Sequence, residues 1–142
     1  MKKALIVLSL MLFITMPTAG AAPIEAVNGC QYPISMTVIA ESDSSQIINV
    51  KVGDYFKVTL EAAGGTGYSW QLDNKNMDFV EAVDKTVAPV NPNLHLAGGK
   101  VRWEFYFRVK PDALGQDTLQ FCLRRGQNEM PVKKAWLIII VQ

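Results

Sequence analysis

The segment "EAAGGTGYSWQL", Glu61 to Leu72, places Gly64, Gly65 and Gly67 within four positions, just ahead of Tyr68 and Trp70. Glycine-rich loops can cradle phosphate on bare backbone N–H groups. That chemistry needs a Lys-Ser or Lys-Thr after the last glycine and a helix to follow. Here Tyr68 follows Gly67, and the residues beyond it have strand character. "AGGKV", Ala97 to Val101, fails in the same way, because Val101 stands where a hydroxyl is required and begins a strand. Neither glycine cluster belongs to the strand–helix unit that dinucleotide binding demands. Two readings of the first cluster remain. It is a tight turn in which glycine supplies positive φ, or a bare backbone that another protein approaches closely.

Other chemistry is poorly supplied. His95 is the sole histidine and sits in a loop between Leu94 and Leu96, with no nucleophile-elbow pattern in the chain. Asp73, Asp78 and Asp84 lack the spacing of a metal loop and read as solvated turn residues. Cys30 and Cys122 are too few and too far apart for a zinc site, which takes four close ligands. The expectation is a protein that is not an enzyme, with no catalytic residue, metal or cofactor.

These segments must be positioned by the part of the chain that survives export. Lys2 and Lys3 precede an apolar run from Ala4 to Met16, and Ala19-Gly20-Ala21 gives a small-x-small cleavage site. This reads as a secretory signal peptide over residues 1–21, cut after Ala21. The context around Cys30 is a poor lipobox. The remaining 22–142, about 120 residues, suits one domain. Removing Lys2 and Lys3 leaves 12 basic against 13 acidic residues, a net charge near −1 with no long run of one sign. Nucleic acid and membrane surfaces are therefore poor partners. The protein is expected in a bacterial periplasm or secreted, as a monomer.

The mature chain reads as short strands separated by turn signals. Candidates are residues 34–40, 47–52, 55–61, 67–72, 79–83, 101–110, 118–124 and 134–141. In "KVRWEFYFRVK", Val101, Trp103, Phe105, Phe107 and Val109 alternate with Arg102, Glu104, Tyr106 and Arg108. Period 2 with this contrast puts one face in a core and the other in water. Trp103 is thus expected inside and Tyr106 on the solvent face. Phe56, Val58 and Leu60 repeat the pattern, as do Leu119, Phe121 and Leu123, and Trp70 lies within its strand as a core residue. Seven to eight such strands indicate an all-β sandwich, with a closed barrel as second choice.

Alternation turns Cys122 away from the core, and an oxidising compartment favours pairing it with Cys30. Such a disulfide would pin the N-terminal segment across that outer face. The alternative is two unpaired buried thiols. Three loops join convincing strands: residues 63–67, 90–100 and 124–134. In an antiparallel sandwich, alternate loops fall at the same end, so the three could form one surface.

At "GGTGYSW" the chain resembles the chagasin-like family of cysteine-protease inhibitors, which carries an Asn-Pro-Thr-Thr-Gly-Tyr-x-Trp segment. Thr66, Gly67, Tyr68 and Trp70 match it, while Ala63, Gly64 and Gly65 depart. "LAGGKVRWEFYF" resembles the family's second glycine-rich loop, with Gly98 and Gly99 in the matching positions. "LQFCLRRGQ" resembles its third signature strand, with Arg125 nearest the family's arginine and Gly126 and Gln127 in place of Pro and Trp. The resemblance implies an immunoglobulin-like antiparallel β-sandwich whose three loops enter the cleft of a papain-like cysteine protease. The implied contact residues are Gly64, Gly65, Thr66, Gly67, Tyr68, Ala97, Gly98, Gly99, Arg124 and Arg125. The other reading on the same scaffold is a non-catalytic periplasmic or secreted binding or adhesion module.

Overall fold

A computed structural model describes residues 20–73, 77–93 and 97–142. The signal-peptide reading falls almost wholly outside these residues, as does His95. Nine strands are described: β1 (Ile24–Val27), β2 (Cys30–Ile39), β3 (Ser45–Val50), β4 (Tyr55–Ala63), β5 (Ser69–Leu72), β6 (Val80–Pro89), β7 (Lys100–Val109), β8 (Gly115–Arg124) and β9 (Lys133–Val141). They form two sheets, ordered β1-β2-β4-β7-β6 and β3-β9-β8-β5. The sandwich is as expected, but it is not wholly antiparallel. β2 pairs parallel with β4, and β3 pairs parallel with β9. The chain switches sheets between β2 and β3 and again before β4, so β2 and β4 become neighbours running the same way.

The alternating residues meet between the sheets. Phe56, Phe107, Phe121, Leu60, Leu119 and Trp70 are all essentially inaccessible. Phe56 stacks on Phe107 with centroids 5.2 Å apart, and Phe107 meets Phe121 edge-on at 6.2 Å. The Trp70 indole N–H donates to the Glu61 carbonyl at 3.1 Å, which satisfies its one polar atom inside the core. At the open side of the sandwich, Lys85 of the edge strand β6 lies 5.0 Å over the Phe105 ring. Burial there pushes its ammonium pKa down.

β6 runs twice as far as its sequence suggested. Its exposed, charged residues hide the period, and pairing with β7, through a bulge between Ala82 and Asp84, is what holds it extended. β1 was not anticipated. It forms a hairpin with β2 through Asn28-Gly29, both at positive φ (48° and 83°). Asn-Gly is the dipeptide that such a two-residue turn favours.

This hairpin overturns the expectation for Tyr106. The residue does lie on the face opposite Trp103, but it is 2% exposed. The hairpin folds over the outer face of the five-stranded sheet, and Tyr106, Val27 and Ile34 form a second small core beneath it. Lys57 Nζ meets the Glu25 carboxylate at 2.7 Å and Glu104 at 3.7 Å. The Tyr106 hydroxyl donates to Glu104 at 3.0 Å, and burial pushes its pKa up.

The same geometry corrects the disulfide. Cys30 and Cys122 are free thiols. The N-terminal segment does cross an outer face, but that of the five-stranded sheet, and the Glu25–Lys57 ion pair clasps it there. Cys122 belongs to β8 of the other sheet and faces away from the core, as its alternation required. Its sulfur sits 3.5 Å from Gln120 Nε2 and 3.4 Å from Asp73 Oδ2. Packed sheets lie about 10 Å apart, beyond the roughly 7 Å Cα separation that a disulfide spans. A thiol reagent is expected to label exposed Cys30 in the native protein. Cys122, whose thiol burial pushes up, should react only after unfolding. Failure to find two thiols in denatured, unreduced protein would restore the bridge.

Candidate functional site

Strand register brings the three loops to one end. Ala63, at the close of β4, pairs with Lys100 at the start of β7, and Pro89 of β6 pairs with Val101. In the other sheet, Ser69 at the start of β5 pairs with Arg124, and Lys133 pairs with Leu123. The β6–β7 loop therefore belongs to one sheet and the β8–β9 loop to the other. The β4–β5 loop crosses from sheet to sheet and lies between them.

The central loop is tied on both sides. The Gly64 N–H donates to the Gly99 carbonyl at 2.8 Å. A Cβ on Gly64 would lie 2.7 Å from that oxygen and 2.8 Å from Val101 Cγ2, so glycine is needed here for close approach. Across the loop, Arg125 Nε donates to the Thr66 carbonyl at 3.1 Å, and its guanidinium sits 4.7 Å over the Tyr68 ring. The Thr66 hydroxyl donates to the Ala63 carbonyl at 3.1 Å and accepts from the Tyr68 N–H at 3.4 Å, closing the turn internally. Gly65 and Gly67 both hold positive φ, 73° and 77°. The turn reading is therefore realised, and the glycines also leave the outer backbone of the turn bare.

The sites expected from the sequence separate as follows. Gly65, Thr66 and Gly67 are exposed at the apex, Gly64 is half-buried against the neighbouring loop, and Tyr68 is half-buried behind them. Ala97 and Gly98 are exposed and Gly99 half-buried on one flank, and Arg125 is exposed on the other. Arg124 is the exception. Its side chain runs along the outer face of the four-stranded sheet, away from the loops, with Nε on Gln71 Oε1 at 3.1 Å and a terminal nitrogen on Asp73 at 2.6 Å. This hydrogen bond holds the Asp73 carboxyl below its usual range. Alternation explains the split, because the two adjacent arginines leave the strand end in different directions.

Two grooves flank the central loop. One, of about 310 Å³, is lined by Gly64, Gly65, Pro89, Asn91 and Gly98 to Val101. The other, of about 250 Å³, is lined in part by Thr66, Tyr68, Leu123 and Val132. Asn91 and Val132 fall within the expected loops 90–100 and 124–134 but are not among the implied contacts, and Pro89 falls outside every expected loop. Strand register carries all three beside the glycine loop.

The molecule is thus a two-sheet sandwich with three loops at one end, the central one hydrogen-bonded to both of its neighbours. The sequence matches "Chagasin family peptidase inhibitor I42" over residues 49–139. The chain belongs to this family, whose members are peptidase inhibitors and not enzymes. Curated protein sequences give no match. Among solved structures, the chain is similar to the cysteine protease inhibitor EhICP2 from Entamoeba histolytica. That likeness has a TM-score of 0.57 and 16% identity, covering 75% of this chain and 96% of that one. Amebosin is similar with a TM-score of 0.52 and 19% identity, covering 75% and 97%. PbICP-C, solved in complex with falcipain-2, has a TM-score of 0.54 and 18% identity, covering 76% and 100%. At these identities the likeness establishes a shared fold.

Proposed function

We propose that the protein inhibits papain-like cysteine proteases by seating its three-loop end in their active-site cleft. The observation that carries this reading is the central loop, hydrogen-bonded to one flanking loop through Gly64–Gly99 and to the other through Arg125–Thr66. Membership of the chagasin family supports it, as does the complex of PbICP-C with falcipain-2, a papain-like cysteine protease. The mechanism is steric. Thr66 and Gly67 lie over the catalytic cysteine and offer backbone groups without a scissile bond in reach. Gly98 and Gly99 on one side and Arg125 on the other grip the cleft walls. Because the loops are braced before binding, little conformational entropy is lost. Complexes of this kind typically bury about 1,600 Å² in total, which three loops can supply. Arg124 is not assigned a contact, since Gln71 and Asp73 engage it.

The first 21 residues support export, so the mature inhibitor acts in a periplasm or outside the cell. Titration of purified mature protein into papain tests the reading. Stoichiometric loss of activity is expected. No effect on several papain-like enzymes would favour the binding or adhesion module instead.

A further inference from the structure

Met130 has an environment unlike that of the other described methionines. Met36 and Met77 pack against the main core. Met130 is 88% exposed, the most exposed of the large apolar side chains described. It lies in the β8–β9 loop between two residues at the central loop: Arg125, bonded to the Thr66 carbonyl, and Val132, which lines the groove beside Thr66 and Tyr68. The loop is closed at its base by the Val132 N–H on the Leu123 carbonyl at 2.9 Å. Pro131 biases the Met130 backbone to extended conformations, away from a helical turn. Val132 is itself 54% exposed. Met130 and Val132 therefore expose apolar surface on this side of the wedge, among the charged side chains of Arg125, Glu129 and Lys133.

Resting on the inhibitory reading above, we propose that Met130 is the apolar anchor of the third loop on the protease, and that peroxide disables it by converting its thioether to the sulfoxide. The partner surface is an apolar shelf of the enzyme beside the cleft, continuous with the surface gripped by Arg125. In the oxidation, a lone pair on Sδ attacks one oxygen of hydrogen peroxide. The S–O bond forms as the O–O bond breaks, and proton transfer releases the second oxygen as water. Sulfur is oxidised by two electrons and peroxide is reduced. The product is a polar side chain that resists burial on an apolar shelf. Met130 supports no packing in the free protein, so the fold is indifferent to its state.

The test uses the full mature chain carrying Cys30→Ser, because the exposed thiol also reacts with peroxide. Protein is treated with hydrogen peroxide, freed of it, checked for added oxygen on the Met130 peptide, and titrated into papain. A Met130→Leu version is carried in parallel. Oxidised protein is expected to inhibit about tenfold more weakly or worse, with an unchanged melting temperature. The Leu variant sets its own starting level of inhibition, and peroxide should leave that level unchanged, because leucine has no thioether to oxidise. The inference is overturned if protein oxidised at Met130 inhibits as well as before, or if the Leu variant loses as much on treatment. A different result, no inhibition by untreated protein, removes the inhibitory reading and this inference with it.

Discussion

Thr66→Trp is expected to weaken inhibition of papain by about a hundredfold or more, equal to roughly 2.8 kcal/mol of binding. Thr66 sits exposed at the apex of the central loop, between the two glycines at positive φ. An indole there prevents the backbone from approaching the catalytic centre. Gly65 is a worse position for the test. Its φ of 73° strains any side chain, so lost inhibition would not separate a blocked contact from a spoiled turn. Thr66→Trp removes two hydrogen bonds within the loop, to Ala63 and from Tyr68, each worth about 1 kcal/mol. Thr66→Ala removes the same bonds without adding bulk and should cost no more than about tenfold. A folded tryptophan variant that inhibits as well as the alanine variant would remove the loop from the cleft.

The largest stability effect is expected from β7. Trp103→Ala should destabilise the domain by about 3–5 kcal/mol, because the indole fills the main core. Tyr106→Ala should also cost about 3 kcal/mol or more. Its ring is buried between the sheet and the N-terminal hairpin, and its hydroxyl bonds Glu104 and Glu25 at 3.0 and 3.3 Å. Denaturant melts read both. A Tyr106→Ala variant nearly as stable as wild type would mean that the hairpin does not cover the outer face in solution.

That pair of residues marks how far the chain was legible. Period 2 in β4, β7 and β8 assigns Phe56, Trp103, Phe107 and Phe121 to the interior without any knowledge of topology, since successive side chains of a strand leave on opposite faces. It equally sends Tyr106 and Cys122 outward, and both do point outward. Outward was not exposed in either case. Whether an outer face meets water depends on what else folds across it, and for Tyr106 that is a hairpin whose Glu25 lies 81 positions away in the chain. The cysteines illustrate the same limit: pairing follows from distance between two faces, which no spacing along the chain reports.

The loop chemistry divides in the same way. Glycine at 65 and 67 was readable as a turn, because few other residues tolerate positive φ, and the type and order of the elements around it followed from local patterning. The site itself did not. Gly64 is constrained by the Gly99 carbonyl, 35 positions away in the numbering and 2.8 Å away in space. Arg124 and Arg125 are neighbours in sequence, yet one reaches Asp73 on the sheet face and the other the Thr66 carbonyl in the loop. Side-chain type and alternation are local properties and are written in the chain. Which loops brace one another is set by strand register across two sheets, a sum of long-range pairings that exists only once the sandwich has closed.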